Sequence, residues 1–207
     1  MNTVPAPSPV NQIIRLRTIQ FAVVSIIPIV AFSTSAWPTN SFIASMMTLV
    51  GQLLLAVCIL GRLWSILYSG GRKNRELVME GPYSVSRNPL YLFSTIGASA
   101  IGLILHSFIL AASFGVACGV ILSITSRREA TYLETKFGAP YQDYARRVPA
   151  FWPDFRLYRE RKEAVFNPAV LRKTFLHALY FLLVIPLMEI KQFLVQSGII
   201  PSFFHLL

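Results

Sequence analysis

Long apolar runs separated by short polar segments constrain the fold of this chain more than any other feature. A spanning helix needs roughly 20 apolar residues to cross a hydrocarbon core about 30 Å thick. Runs that meet or approach this length occupy residues 18–35, 42–68, 90–105, 107–125 and 174–188. Charged residues make up only 14% of the chain, against about 25% in a typical soluble domain. The pattern predicts an all-α integral membrane bundle with about five transmembrane helices.

Basic residues lie in alternate polar segments. Two precede the first run, four lie at 72–87 and eleven lie at 127–173. Such an excess marks the cytoplasmic side of a membrane protein, so we expect a multi-pass protein with its amino terminus and both basic segments in the cytoplasm. Arg62, near the end of the second run, is expected to extend toward that interface. The net charge of +10 then serves orientation and contact with membrane lipids, and no nucleic-acid partner is predicted.

The chain is expected to form one domain, 1–207, in three parts. Residues 1–68 hold the first spans, 69–153 form the core, and 154–207 hold a basic segment and a carboxyl-terminal helix. Within the core, the third and fourth runs turn at His106-Ser107 and carry small residues that allow close helix contact. This predicts a tight helical hairpin, which brings the polar segments on either side of it together at one mouth of the bundle.

The first of these polar segments contains a loop rich in turn signals, RELVMEGPYSVSRNPLY (75–91). Gly81-Pro82 and Asn88-Pro89 mark two breaks, because Pro fixes its own φ and restricts the residue before it. Tyr83, Arg87 and Tyr91 stand between or just after the breaks. They indicate either a binding site for a charged, partly aromatic small molecule or a connecting loop whose arginines only set topology. Spacing alone leaves both interpretations open.

The second polar segment adds an acid at the end of the fourth run. Glu129 lies at a depth where a carboxylate requires a cation, which is either a ligand or one of its neighbours Arg127 and Arg128. No Ser-His-Asp set, metal-ligand spacing or glycine-rich phosphate loop is present in the sequence, which argues against hydrolysis by a nucleophile or a metal. Cys58 and Cys118 lie in separate apolar runs and predict neither a disulfide nor a metal site.

The two polar segments together resemble a known family. GPYSVSRNPLY (81–91) is followed 38 positions later by Glu129, and then by L-x-x-x-F-G-x-x-Y-x-x-Y-x-x-x-V-P (133–149). This combination is similar to isoprenylcysteine carboxyl methyltransferases and phospholipid methyltransferases, over about residues 68–153. The resemblance implies S-adenosylmethionine as methyl donor, bound in a cytoplasmic pocket, and a lipophilic acceptor resembling a prenylcysteine carboxylate or a phospholipid. Carried over by position, the donor contacts would be Glu76, Leu77, Val78, Tyr83, Arg87, Asn88, Pro89, Leu90, Tyr91 and Glu129.

The chemistry of these residues suits such a donor. A sulfonium cation is favoured by a carboxylate such as Glu129 and by the ring faces of Tyr83 or Tyr91. Methyl transfer is an in-line displacement that needs positioning more than acid–base chemistry. Gly138 predicts the end of one helix and Pro140 the start of a short next one. The apolar stripe of this short helix, Tyr141, Tyr144 and Val148, is expected to lie on the membrane or over the loop at 75–91.

Two positions depart from the family pattern. Asn88 stands where the family usually has His. Thr125 stands where the prenylcysteine enzymes have an arginine, one turn before the acid, that is thought to orient the acceptor carboxylate. Arg127 and Arg128 are the candidates to replace that arginine, and we predict them, with Glu129, as the catalytic residues.

Two alternatives to a methyltransferase stay open. Sterol-reductase-like enzymes use a nicotinamide cofactor and typically carry R-H-P-N-Y-x-G-E, but Leu92-Phe93-Ser94 follows Tyr91 here, which disfavours them. A non-catalytic member of the family, which keeps the fold and has lost the acceptor site, is favoured by Thr125 and Asn88.

Overall fold

The computed structural model describes residues 33–35, 37–38, 41–72, 75–160, 166–199 and 204–206, and most of this part is helical. Two three-residue strands, β1 (Ser33–Ser35) and β2 (Phe204–Leu206), pair in parallel. A 3₁₀ turn occupies Phe155–Leu157. The helices are α1 (Phe42–Ser69), α2 (Pro82–Val85), α3 (Pro89–Ile104), α4 (Phe108–Phe137), α5 (Ala139–Arg147), α6 (Pro168–Leu182) and α7 (Val184–Gln196).

Three stretches of the described chain are long and apolar enough to cross a membrane: α1, α4, and α6 together with α7. Helix α3 is apolar but has only 16 residues, about 24 Å at 1.5 Å per residue. The predicted first run, 18–35, lies outside the described residues except for Ser33–Ser35, which form a strand rather than the end of a helix. The helical membrane architecture is therefore confirmed, and the count of five spans stays a prediction.

Helix α4 continues well beyond the predicted end of the fourth apolar run. It extends through the polar residues after Thr125 and ends at Gly138, whose φ of 60° is left-handed. A left-handed residue ends a helix readily when it is glycine. Pro140 lies in the first turn of α5, where its missing amide costs no hydrogen bond. The predicted helix end at Gly138 and the predicted helix start at Pro140 are therefore both confirmed.

The predicted fifth run, 174–188, was too short at both ends. Helix α6 begins six residues earlier because the side-chain oxygen of Asn167 accepts hydrogen bonds from the backbone amides of the first turn. The helix is interrupted at Leu183, because Pro186 removes a backbone donor and crowds the preceding turn. Helix α7 then runs past Glu189 and Lys191 to Gln196, so these charges lie within the helix.

The turn between α3 and α4 is made by His106 and Ser107, as predicted. His106 has a positive φ of 56°, and its Nε2 lies 2.7 Å from the hydroxyl oxygen of Thr48 on α1. The side chain of Ser107 accepts a 3.1 Å hydrogen bond from the amide of Leu110 and so caps α4. The turn is thus fixed at both of its residues.

Helices α3 and α4 approach each other closely along small residues. A Cβ added to Gly102 would overlap the backbone of Ala111, and one added to Gly115 would overlap the hydroxyl of Ser99. Such contacts between small residues are a common way for membrane helices to pack. The predicted tight hairpin is confirmed.

The inner side of the bundle contains an arginine as well as apolar side chains. Buried residues from α1, α3 and α7 form the main core, with Leu55, Ala100, Ile104 and Met188 at its centre. Contrary to expectation, Arg62 does not extend outward. It donates a hydrogen bond to Ser94 on α3 and lies 5.9 Å from the ring centroid of Phe181 on α6, because both partners lie inside the bundle.

We expect Gly102→Ala to destabilise the protein by about 1–3 kcal/mol, because the added methyl group meets backbone atoms that cannot move aside. Gly119→Ala is the matched control, since a Cβ there would lie 3.6 Å from Cγ2 of Thr95, an ordinary contact distance. Thermal unfolding of both variants in detergent measures the difference. Equal melting temperatures would show that the hairpin does not depend on this close approach.

Candidate binding site at the mouth of the bundle

The loop between α1 and α3 is shaped by its two predicted breaks. Gly81 has a φ of 57°, and a Cβ there would enter the ring of Tyr68, so no larger residue fits. Pro82 follows and starts the four-residue helix α2. Asn88, with φ −131° and ψ 56°, precedes Pro89 at the start of α3. The chain is therefore turned twice within eight residues, and both breaks are confirmed.

The side chain of Asn88 joins this loop to two other segments. Its Nδ2 donates to the hydroxyl oxygen of Ser126 on α4 at 2.6 Å and to the carbonyl of Ala150 at 2.8 Å. Because an amide nitrogen carries two hydrogens, one atom can satisfy both acceptors. The two polar segments therefore meet at the mouth of the bundle, as the hairpin predicted.

Tyr83 is fixed at both its ring and its backbone. Its hydroxyl donates to the hydroxyl oxygen of Ser69 at 2.9 Å, and its carbonyl accepts a 2.7 Å hydrogen bond from the hydroxyl of Tyr144. Burial raises the pKa of Tyr83 to about 12; the hydrogen bond with Ser69 opposes the rise, and the negative charge of Glu129 adds to it. The phenol is therefore neutral at physiological pH, and Glu129 is near enough to influence it.

Helix α4 presents only part of the predicted catalytic set to the loop. Thr125 and Ser126 are buried and Glu129 is half-buried, whereas Arg127 and Arg128 are exposed. Ser126 and Glu129 are three residues apart and so share one face of the helix. The structure thus brings Glu129 to the side that contacts the loop and leaves both arginines on the outer surface.

The first three predicted donor contacts lie at the edge of the loop. Glu76 forms a 2.6 Å ion pair with Arg72, and its side chain is 59% exposed. Leu77 packs against the buried side chains of α5, and Val78 is buried. Only Glu76 of these three therefore presents a charge to solvent.

The other predicted donor contacts lie where the loop enters α3. Pro89 is buried, and Leu90 and Tyr91 are half-buried in the first turn of the helix. The backbone amide of Arg87 donates to the carbonyl of Pro149 at 2.9 Å. The Nε of Arg87 is buried and has no hydrogen-bond partner within the described part of the chain. It is therefore a donor that a ligand with an anionic group would satisfy.

Helix α5 covers the loop instead of lying on the membrane. Tyr141, Tyr144 and Val148 are buried together, and the two tyrosine rings meet edge to face with centroids 6.2 Å apart. Burial raises the pKa of Tyr144, and the charge of Arg87 opposes the rise. Of the two placements that the sequence allowed for this stripe, the structure has the one over the loop.

A segment that the sequence did not assign to the site also holds the loop. We call residues 149–160 the strap. Six hydrogen bonds of 2.8–3.0 Å connect it to residues 81–88, joining Gly81 to Arg159, Ser84 to Arg159, Val85 to Asp154, Ser86 to Phe151, Arg87 to Pro149 and Asn88 to Ala150. On the strap side all six bonds use backbone groups, whereas on the loop side three of them use the side chains of Ser84, Ser86 and Asn88. The sequence gives one weak signal for the strap: Pro149 and Pro153 favour an extended chain.

Comparison with known proteins gives a family and two relatives. A family model described as phospholipid methyltransferase matches residues 40–140. The nickel-cobalt-cadmium resistance protein NccN of Alcaligenes xylosoxydans xylosoxydans is 32% identical over 181 residues, which are 86% of this chain and 84% of that protein. The cobalt-zinc-cadmium resistance protein CzcN of Cupriavidus metallidurans is 31% identical over 151 residues, 73% of this chain and 69% of that protein. No solved structure matches the chain.

We expect Asn88→Ala to lower the free energy of unfolding by about 1–3 kcal/mol, because it leaves the buried hydroxyl of Ser126 and a strap carbonyl without their donor. Gln142→Ala is the control: it also removes one side-chain amide, whose 2.8 Å bond to Glu134 is exposed. Denaturant unfolding in detergent compares the two. An equal loss of stability would mean that the Asn88 link is no stronger than a surface contact.

Tyr83 gives a pH-dependent prediction. A tyrosine in the unfolded chain has a pKa of about 10, and in the folded protein it keeps its proton to about pH 12. The resulting stability is fully present below pH 10 and is lost as pH rises from 10 to 12. Tyr83→Phe should flatten this decline in unfolding experiments, whereas Tyr180→Phe, whose parent side chain is 68% exposed, should leave it unchanged. Because burial also raises the pKa of Tyr144, part of the decline should remain in this variant. A decline in Tyr83→Phe as steep as in the parent protein would contradict the assignment.

Proposed function

The chain belongs to the phospholipid methyltransferase family, and from this premise we propose that it is an integral membrane methyltransferase that uses S-adenosylmethionine and a lipophilic acceptor. The observation that carries the proposal is the hydrogen bond between Asn88 and Ser126. It joins the loop that holds Tyr83 to the helix that holds Glu129, and these are the two segments that the family motif needs in one place. The active site would lie at the cytoplasmic mouth of the bundle.

The residues at the mouth fit a positively charged sulfur compound. Glu129 offers a half-buried negative charge, and Tyr83 and Tyr91 offer aromatic rings for a cation. The buried Nε of Arg87 suits the carboxylate of an amino-acid group. The remaining proposed contacts are Glu76, Leu77, Val78, Asn88, Pro89 and Leu90.

The role of the protein in such a reaction is to position the methyl donor and the acceptor and to exclude water from between them. When bound, S-adenosylmethionine supplies an electrophilic methyl group on a sulfonium sulfur. Asn88 would hold the loop against α4 while an acceptor approaches, and the neutral phenol of Tyr83 would add no charge that competes with Glu129. Catalysis by orientation alone can supply a large part of a rate enhancement, so this chemistry does not require a general base among these side chains.

The acceptor is proposed to reach the site from the bilayer. Arg127 and Arg128 are exposed on α4 just beyond its apolar part, at the level where lipid phosphates or carboxylates lie. We propose that they hold an anionic group of the acceptor, in place of the arginine whose position is taken by the buried Thr125. Their catalytic role would be to orient that group toward the methyl donor.

The names of the two relatives favour a second candidate function, a part in resistance to nickel, cobalt, zinc or cadmium. Within the described residues, no group of three or more His, Cys, Asp and Glu side chains could hold a metal ion. The direct test of a metal-binding role is to add nickel, cobalt, zinc or cadmium to the purified chain.

We expect S-adenosylmethionine and S-adenosylhomocysteine to raise the melting temperature of the purified chain in detergent, because a ligand at 100 times its Kd stabilises by about 2.7 kcal/mol. Glu129→Gln should lose most of the shift obtained with S-adenosylmethionine, whereas Glu134→Gln, which removes an exposed carboxylate from the same helix, should keep it. A shift with NADPH alone would favour a reductase, and a shift only with nickel, cobalt, zinc or cadmium would favour metal binding. No shift with either sulfur compound would contradict the proposal.

Incubation with methyl-labelled donor and a total lipid extract then tests catalysis. Label in a lipid product supports the methyltransferase and identifies the acceptor. Donor binding without labelling of any lipid in the extract would instead favour the non-catalytic alternative.

A further inference from the structure

We propose that the strap is a membrane-surface anchor that inserts Trp152 and Phe155 among anionic lipid headgroups, and that this contact orders the loop to which the strap is bonded. The inference goes beyond the proposed function, because it concerns lipid binding by a surface and requires no methyl donor. It assigns a physical role to a segment that the family motif does not include.

The strap exposes two large aromatic side chains, three residues apart in the sequence. Trp152 is 77% exposed and Phe155 is 69% exposed, while the neighbouring Phe151 packs edge to face on Trp152 with ring centroids 6.2 Å apart. Leaving such rings in water forgoes the favourable burial of a large apolar area. Tryptophan is enriched at the boundary between membrane and water, and a headgroup layer would cover both rings.

The strap lies at the depth of the headgroups. The ring of Tyr158 is 6.1 Å from the ring of Trp64, and Trp64 lies five residues before the end of α1. Five residues correspond to about 7.5 Å along a helix. The strap therefore reaches back beside the last turns of a spanning helix and does not project away into the cytoplasm.

The charge around these rings selects the lipid. Within the strap Arg156 and Arg159 are matched by Asp154 and Glu160. The excess of positive charge comes from exposed Arg146 and Arg147 just before the strap, of which Arg146 also pairs with Asp143 at 3.7 Å. Basic residues beside exposed aromatic rings bind membranes that contain anionic lipids better than neutral ones. The partner that fits the strap is thus an anionic leaflet, and not a neutral lipid surface.

Docking of the strap on the membrane would restrict the motion of the loop, because six hydrogen bonds connect the strap to the loop. One of them is the second bond of the Asn88 amide, to the carbonyl of Ala150. A strap held on the membrane keeps these acceptors and donors in place, whereas a strap that detaches withdraws them together. The lipid composition around the strap would therefore influence how well the loop is ordered.

The test uses the full chain reconstituted in vesicles with brominated acyl chains. Trp37→Phe and Trp64→Phe leave Trp152 as the only one of the three tryptophans. In phosphatidylcholine vesicles that also contain phosphatidylglycerol, we expect blue-shifted Trp152 emission and strong quenching by bromine. In phosphatidylcholine alone, we expect a smaller shift and less quenching. Water-like, unquenched emission in both vesicles, or equal quenching in both, would overturn the proposal.

Matched variants separate the contributions of charge and of aromatic area. Arg156→Gln should reduce the extra quenching given by phosphatidylglycerol, whereas Lys136→Gln, which removes an exposed cation outside the strap, should not. Phe155→Ala should reduce quenching in the anionic vesicles, whereas Phe42→Ala, a 76% exposed ring at the first residue of α1, should not. Equal effects of a variant and its control would contradict the assigned surface.

Amide hydrogen exchange of residues 81–88 tests the coupling. Protection should be higher in anionic than in neutral vesicles, and Phe155→Ala should remove the difference. Protection that ignores lipid charge would overturn the coupling. These readouts are taken without methyl donor, so failure of the proposed methyltransferase function would leave them unaffected.

Discussion

One side-chain amide holds three distant segments of this chain together. The Nδ2 of Asn88 bonds to a residue 38 positions away on α4 and to another 62 positions away in the strap. The bond to Ser126 is partly buried, so it is stronger, and costs more when unmade, than a bond at a protein surface. The bond depends in turn on the hairpin, because Ser126 reaches the loop only when α4 packs directly on α3, and Gly102 permits that approach.

The features that the sequence predicted correctly are those with local signals. The length of the apolar runs located α1 and α3 to within one residue. Gly138 and Pro140 marked the junction of α4 and α5, and His106-Ser107 marked the turn, since each of these residues acts on its own backbone. The meeting of the two polar segments then followed from chain geometry, because a tight hairpin returns its ends to one place. These predictions needed no knowledge of distant contacts.

What the sequence did not predict depends on direction and on non-local pairing. Hydropathy indicates how deep in the membrane Arg62 lies. It does not indicate that the side of α1 carrying Arg62 faces its partners Ser94 and Phe181. The strap contributes only backbone groups to its six hydrogen bonds with the loop, so its own sequence carries almost no signal of this pairing. Arg127 and Arg128 lie on the outer surface because of the way α4 is rotated about its axis. The sequence gives their positions relative to Glu129, but not which face of α4 contacts the loop.

A strongly basic chain can still offer a site that favours a cation. Arg127 and Arg128 are exposed, so solvent weakens their fields and salt screens them beyond about 8–10 Å. Glu129 is half-buried and is screened less, so its field acts more strongly within the mouth of the bundle. Its negative charge contributes, after burial, to the high pKa of Tyr83. The net charge of +10 therefore describes how the chain meets the membrane, whereas the local charge inside the mouth decides which ligand it would accept.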